Sequence, residues 1–238
     1  VNDILTPANF EAVKSWMLVN TAFDATGLLT EDYRQVGGTY SRALSGKKEA
    51  RSQEKAAYYL AMGSFSQVVG DYYGHKYFGE AAKQDVHDMV VKMAGVYQNR
   101  LKTNDWLSQS TREKAVVKLQ KLTIKVGYPD KIDPLYAKFK VDTNKSLFDN
   151  LQSFSEIVLV DHFAHWGKPV DRDKWEMSAN TVNAYYSPTN NEIVFPAAIL
   201  QKPFYSLEQS SSANYGGIGA VIAHEISHAF DNNGAQFD

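Results

Sequence analysis

Apolar positions in the first half of the chain recur at helical spacing, every third or fourth residue. Phe10, Val13 and Met17 follow Thr6-Pro7, which reads as an N-cap with proline at the first helical position. Residues 49–69 are rich in alanine, glutamine, lysine and tyrosine and read as helical. The stretch 81–102 carries Val86, Met89, Val90, Met93, Val96 and Tyr97, again a 3.6-residue pattern. Ser110-Thr111-Arg112-Glu113 reads as a capping box that opens a helix through Val116, Val117, Leu119 and Leu122. Gly127-Tyr128-Pro129-Asp130 is a turn and the best boundary between a helical lobe and the remainder of the chain. Beyond that turn, Leu147, Leu151, Phe154 and Val158 mark another amphipathic helix, ending near Gly167-Lys168-Pro169.

The period then changes. Residues 181–186 and 192–195 are β-rich, and Ser187-Pro188-Thr189-Asn190-Asn191 between them predicts a hairpin. A second helical run comes next, with Ile218, Val221, Ile222, Glu225 and Ala229 on one stripe. Small residues at its start, Gly216, Gly217 and Gly219, imply close backbone packing against a neighbour, and Asn232-Asn233-Gly234 is a stop signal. The pattern predicts a buried helix over 215–231. The expected fold class is mainly α with a small β-hairpin, and no internal repeat is present.

Composition narrows the function classes. The chain has 238 residues, a net charge of −2 and no cysteine. There is no electrostatic case for nucleic acid or an anionic membrane as partner. Cysteine-ligated zinc and disulfides are excluded. A reducing cytoplasm fits, as does a bacterial secreted or cell-surface protein without cysteine. No apolar run approaches a membrane span, and the start Val1-Asn2-Asp3-Ile4-Leu5-Thr6-Pro7 has no signal-peptide pattern.

The chemistry lies in His224-Glu225-Ile226-Ser227-His228. On a helix, residues four apart stand one above the other, so both imidazoles can reach one metal ion at about 2.0–2.1 Å. Glu225, one residue round from His224, borders such an ion without ligating it, where a general base must stand. Two histidines on an apolar helix can also be satisfied core residues. A glutamate placed between them, a type rarely fully buried, argues against that. A peptidase must also hold an extended peptide, and an edge strand near residues 182–186 would serve. Asn183 carries an amide donor and an acceptor that can clasp a peptide unit; an ordinary structural hairpin with Asn183 in a turn is the other reading. His162 and His165 read as a solvated helix end, and His75 and His87 as surface residues.

Four segments together carry a resemblance. They are Asn183-Ala184-Tyr185-Tyr186, Asn191-Glu192-Ile193-Val194-Phe195-Pro196-Ala197, Asn214-Tyr215-Gly216-Gly217-Ile218-Gly219, and the run from His224 to Asp231. Their sequence resembles the neprilysin family of zinc endopeptidases, and within it the bacterial members called oligopeptidase O. Gly127-Tyr128-Pro129-Asp130 is similar to a further family segment. The resemblance implies zinc as cofactor with His224 and His228 as ligands, and Glu225 as the catalytic base that passes its proton to the leaving amine. It implies that Asn183 and Ala184 bind the substrate backbone, with oligopeptides cleaved on the amino side of hydrophobic residues. It also implies two lobes: 1–128 in a largely helical capping lobe, and 129–238 as the first half of a thermolysin-like catalytic lobe.

Family members are longer at both ends. Their third zinc ligand, a glutamate in a Glu-x-x-x-Asp motif, lies further downstream and has no counterpart among Glu192, Glu208, Asp231 and Asp238. Asp231 is expected to cap or hydrogen-bond the end of the zinc helix. The expectation is therefore an incomplete, inactive piece of a zinc endopeptidase, with a second polypeptide as a possible source of the rest. The alternative is a non-catalytic folded fragment, or a weak zinc-binding interaction module.

Overall fold

The structure, a computed structural model, describes residues 3–237. Val1, Asn2 and Asp238, the last of them one of the candidate carboxylates, lie outside the described residues. The described helices are α1 (Phe10–Ala25), α2 (Glu31–Gly37), α3 (Thr39–Leu44), α4 (Gln53–Ser64), α5 (Ser66–Tyr77), α6 (Gly79–Lys102), α7 (Gln109–Gln120), α8 (Leu147–Ala164), α9 (Ser211–Gly216) and α10 (Ile218–His228). The strands are β1 (Thr123–Gly127), β2 (Tyr185–Ser187) and β3 (Glu192–Pro196). The chain is mainly helical with one small sheet, as the patterning predicts. No helix among the described residues is long and apolar enough to cross a membrane.

The residues form two compact units. One runs to Gly63 and resumes over Pro134–Lys168; the other comprises Ser64–Asp133 and the chain from Pro169. In the first, helices form over Phe10–Ala25 and Leu147–Ala164 as expected but bury little, while the stretch read as helical over 49–69 starts only at Gln53 and breaks at Phe65. Phe10 and Met17 on α1 are exposed, as are Leu147 and Val158 on α8. Only Asn150 and Phe154 are buried among its described residues, with Phe154 stacked on Phe139 at 4.6 Å between ring centroids. Thr6 is extended but makes no side-chain cap, and Pro7 opens a short 3-10 turn ahead of α1.

The second unit holds the core. Its sheet has the order β1-β3-β2, with β1 parallel and β2 antiparallel to the central β3. Alternation along β3 sends Ile193 and Phe195 to one face and Glu192 and Val194 to the other. On the first face Ile193 and Phe195 join Val86 and Val90 of α6 and Ile218, Ile222 and Ile226 of α10 in one buried cluster. The period read from 81–102 is thus the core face of α6, except that Val96 is exposed. On the second face Lys125 Nζ stands 2.8 Å from Glu192 Oε2, both side chains nearly enclosed.

Three features correct the sequence reading. Helix α7 opens at Ser108, whose Oγ accepts the Thr111 N–H at 3.2 Å, not at Ser110. It ends at Gln120, so Leu122 precedes a strand that the pattern did not reveal. Finally, the predicted helix over 215–231 is two helices, α9 and α10, with a break at Gly217 and an end at His228.

The break has a steric cause. Ile218 N–H donates to Phe204 O at 2.9 Å, which brings that carbonyl against the chain. A Cβ on Gly217 would lie 2.3 Å from the same oxygen. Gly217→Ala is therefore expected to destabilise the protein by about 1–3 kcal/mol, as overpacking against backbone does. Urea unfolding measures this; a loss under about 0.5 kcal/mol would mean that the 201–206 loop yields instead.

Candidate metal centre

Helix α10 turns its isoleucines inward and leaves its histidines at the rim. Ile218, Ile222, Ile226 and Glu225 are buried, His224 is exposed and His228 is half-buried. Tyr97 of α6 donates its hydroxyl to Ala223 O at 3.1 Å, tying down the residue before His224. The expected stacking is present: His224 Nε2 and His228 Nε2 converge to 3.0 Å. Two nitrogens bound tetrahedrally at 2.0–2.1 Å would stand about 3.3 Å apart. A small outward rotation of either ring meets that, so the pair fits a zinc ion as two of its ligands.

Asp231 fixes the second imidazole. Its Oδ2 lies 2.7 Å from His228 Nδ1, and its Oδ1 accepts the N–H groups of Asn233 at 2.9 Å and Gly234 at 2.8 Å. The Gly234 N–H first, and the His228 hydrogen bond next, hold its carboxyl down at about 2. An ionised Asp231 can only accept, so His228 donates from Nδ1 and turns the lone pair of Nε2 towards His224. A carboxylate behind a ligating histidine is a recurrent means of fixing tautomer and ring angle. Asp231 thus bonds the end of the helix, and more specifically the last histidine on it.

Glu225 is 5% exposed, and burial pushes its carboxyl above the ordinary value against the pull of His224, His228 and the Tyr186 N–H. That last contact joins the hairpin to the site. Strand β2 is the edge of the sheet on the α10 side. Just ahead of it Asn183 is exposed and Ala184 buried. Asn183 Oδ1 accepts the Ala184 N–H at 2.9 Å, which leaves the Asn183 amide nitrogen without a partner among the described residues.

Glu192 and Glu208, also weighed from the sequence, are engaged elsewhere. Glu192 is buried beside Lys125, and Glu208 pairs with Lys202 at 2.8 Å. Among the described residues no group of three or more His, Cys, Asp or Glu could hold a metal ion. His162, His165 and His75 are exposed. His87 is half-buried, and its Nδ1 has no hydrogen-bond partner among the described residues. Tyr97, Tyr186 and Asp231 surround the motif, but only Asp231 was legible, because it alone lies next to the helix in sequence.

The chain is also similar to known proteins. Peptidase family M13 matches residues 1–129 with its N-terminal part and 183–238 with its peptidase part. A protein named neutral endopeptidase from Lactococcus lactis is 55% identical over 237 residues, 100% of this chain and 38% of that protein. Neprilysin-1 of Caenorhabditis elegans is 32% identical over all of this chain and 32% of its own length. Among solved structures, PepO from Lactobacillus rhamnosis superposes with a TM-score of 0.93 at 42% identity, covering 99% of this chain and 38% of that one. A zinc metalloprotease of Mycobacterium tuberculosis, Zmp1, gives a TM-score of 0.88 at 38% identity over 99% of this chain and 35% of its own. The chain spans about a third of the length of these relatives.

Proposed function

The chain belongs to peptidase family M13, the neprilysin family, and from that premise we propose that it is part of a zinc-dependent endopeptidase that hydrolyses oligopeptides. The observation that carries this reading is the convergence of His224 and His228 Nε2 atoms, 3.0 Å apart, on a helix whose next residue is the buried Glu225. Zinc, when bound, supplies Lewis acidity towards a carbonyl and acidifies water.

The chain's own residues do the rest. His224 and His228 hold the ion, and Asp231 orients His228. Glu225 takes a proton on its carboxylate and delivers it to the leaving amine nitrogen. The edge of β2 and the amide of Asn183 pair with an extended peptide, beside Ala184, so that the scissile bond lies over Glu225. In the same reading residues 1–128 belong to the helical lobe and 129–238 begin the catalytic lobe. The third ligand comes from outside these 238 residues, and the chain by itself is expected to be inactive.

Cleavage of a quenched oligopeptide tests this. The full-length protein should lose activity to a chelator and regain it with zinc, while the 238-residue chain shows none. Chelator-resistant hydrolysis would remove the metal from the mechanism. Turnover by the isolated chain would show that its own residues complete the site.

A further inference from the structure

Lys118 projects from α7 into the interior, where it is 7% exposed. A buried ammonium costs several kcal/mol unless acceptors replace its water. Here Nζ donates to Gly234 O at 2.6 Å and Phe237 O at 2.7 Å, two carbonyls at the ends of the short turn after α10. The backbone of the same lysine is held as well, since its carbonyl accepts Asn191 Nδ2 at 2.9 Å from the β2–β3 loop.

That turn is the one that presents Asp231. The N–H groups of Asn233 and Gly234 occupy Asp231 Oδ1, and Ala235 N–H donates to Asp231 O at 2.9 Å. The turn is folded so tightly under α10 that a Cβ on Gly234 would lie 1.9 Å from His228 O. With Oδ1 engaged, Oδ2 faces His228 Nδ1 at 2.7 Å. A line of hydrogen bonds therefore runs from Lys118 through the turn and Asp231 to His228.

We propose that Lys118 is a positioning residue of the metal centre: it clamps the 234–237 turn from α7, and through that turn holds Asp231 against His228, setting the tautomer and angle of the imidazole. The consequence for metal affinity rests on His228 being a ligand; the consequence for the tautomer does not. Without the clamp the turn keeps its local bonds but loses its two hydrogen bonds to Lys118. Asp231 then samples positions in which Oδ2 no longer faces Nδ1.

The test compares Lys118→Met and Lys118→Arg with the unaltered chain, at a pH where the imidazoles are neutral. In the metal-free chain, ring 15N shifts report which nitrogen of His228 carries the proton. Unaltered chain and Lys118→Arg should show protonated Nδ1, and Lys118→Met a mixture with the Nε2-protonated form. Cobalt(II) affinity should fall about tenfold in Lys118→Met, within the range for loss of partners behind a ligand. Asp231→Asn combined with Lys118→Met should weaken it no further than Asp231→Asn alone.

A Lys118→Met chain that melts earlier but keeps His228 on the Nδ1 tautomer would make Lys118 a stability anchor only and overturn the proposal. Should that variant fail to fold, Lys118→Gln, which retains one donor group, is read by the same shifts. A tautomer change with no cobalt uptake even by the unaltered chain would support the clamp and count against the metal site.

Discussion

Glu225→Gln is expected to lower peptide hydrolysis by the full-length protein by about 10²–10⁴-fold, the usual contribution of a positioned general acid–base group. Zinc content should not change. Glutamine fills the same volume, and its carbonyl oxygen can still accept the Tyr186 N–H that Glu225 accepts. What it cannot do is take up a proton. The effect therefore separates chemistry from packing, which Glu225→Ala would not, because that change also opens a cavity beneath the rim of α10. Parallel assays of metal content and turnover decide it. Turnover within tenfold of the unaltered protein would place the base on another residue. Loss of zinc together with activity would mean that Glu225 supports the ion instead of the proton.

The second large effect concerns stability. Lys125→Met is expected to cost about 3–5 kcal/mol, the typical penalty for leaving one member of a buried ion pair alone. Glu192 is 1% exposed, and Lys125 Nζ lies 2.8 Å from it. That approach is close but poorly aligned, and neither Glu192 oxygen has a hydrogen-bond partner among the described residues. Little else offsets the charge once the lysine is gone. Lys125 keeps a second contact, donating to Lys174 O at 3.0 Å, so its own removal also frees a carbonyl. Replacing both, as Lys125→Met with Glu192→Leu, should recover much of the loss, since paired buried charges often exchange for apolar residues at little cost. Urea midpoints of the single and double variants measure both numbers. A single-variant loss below about 1 kcal/mol would show that water reaches Glu192.

The contrast between these residues explains what the sequence could reveal. His224, Glu225 and His228 interact within one helical turn, so their spacing alone predicts the convergence. Helix α6 was legible for a similar reason: its period is local, and Ala82, Val86, Met89, Val90 and Ala94 do face the core. Strand β1 was not, because its partner β3 is remote in sequence and five residues carry too little pattern against a helix reading that ran on to Leu122. The start of α7 was misplaced because Ser108 and Ser110 are both plausible caps. Backbone geometry decides for Ser108, whose φ of −61° and ψ of 155° are those of a cap.

Other features depend on contacts that no local rule encodes. The break at Gly217 is imposed by the carbonyl of Phe204, a residue with no sequence link to the helix it divides. Lys118 falls on a helix read from its capping box and apolar positions alone, and nothing local marks this lysine as buried. The exposed Phe10 and Met17 make the reverse case: their spacing correctly predicts helix α1, but periodicity cannot say whether a stripe is covered.

The metal centre is tested most directly by the zinc K-edge absorption spectrum of the zinc-loaded chain beside that of His228→Ala. Two imidazole nitrogens at about 2.0–2.1 Å are expected in the first and one in the second. Identical spectra, or a first shell without imidazole scattering, would contradict the assignment of His224 and His228 as zinc ligands.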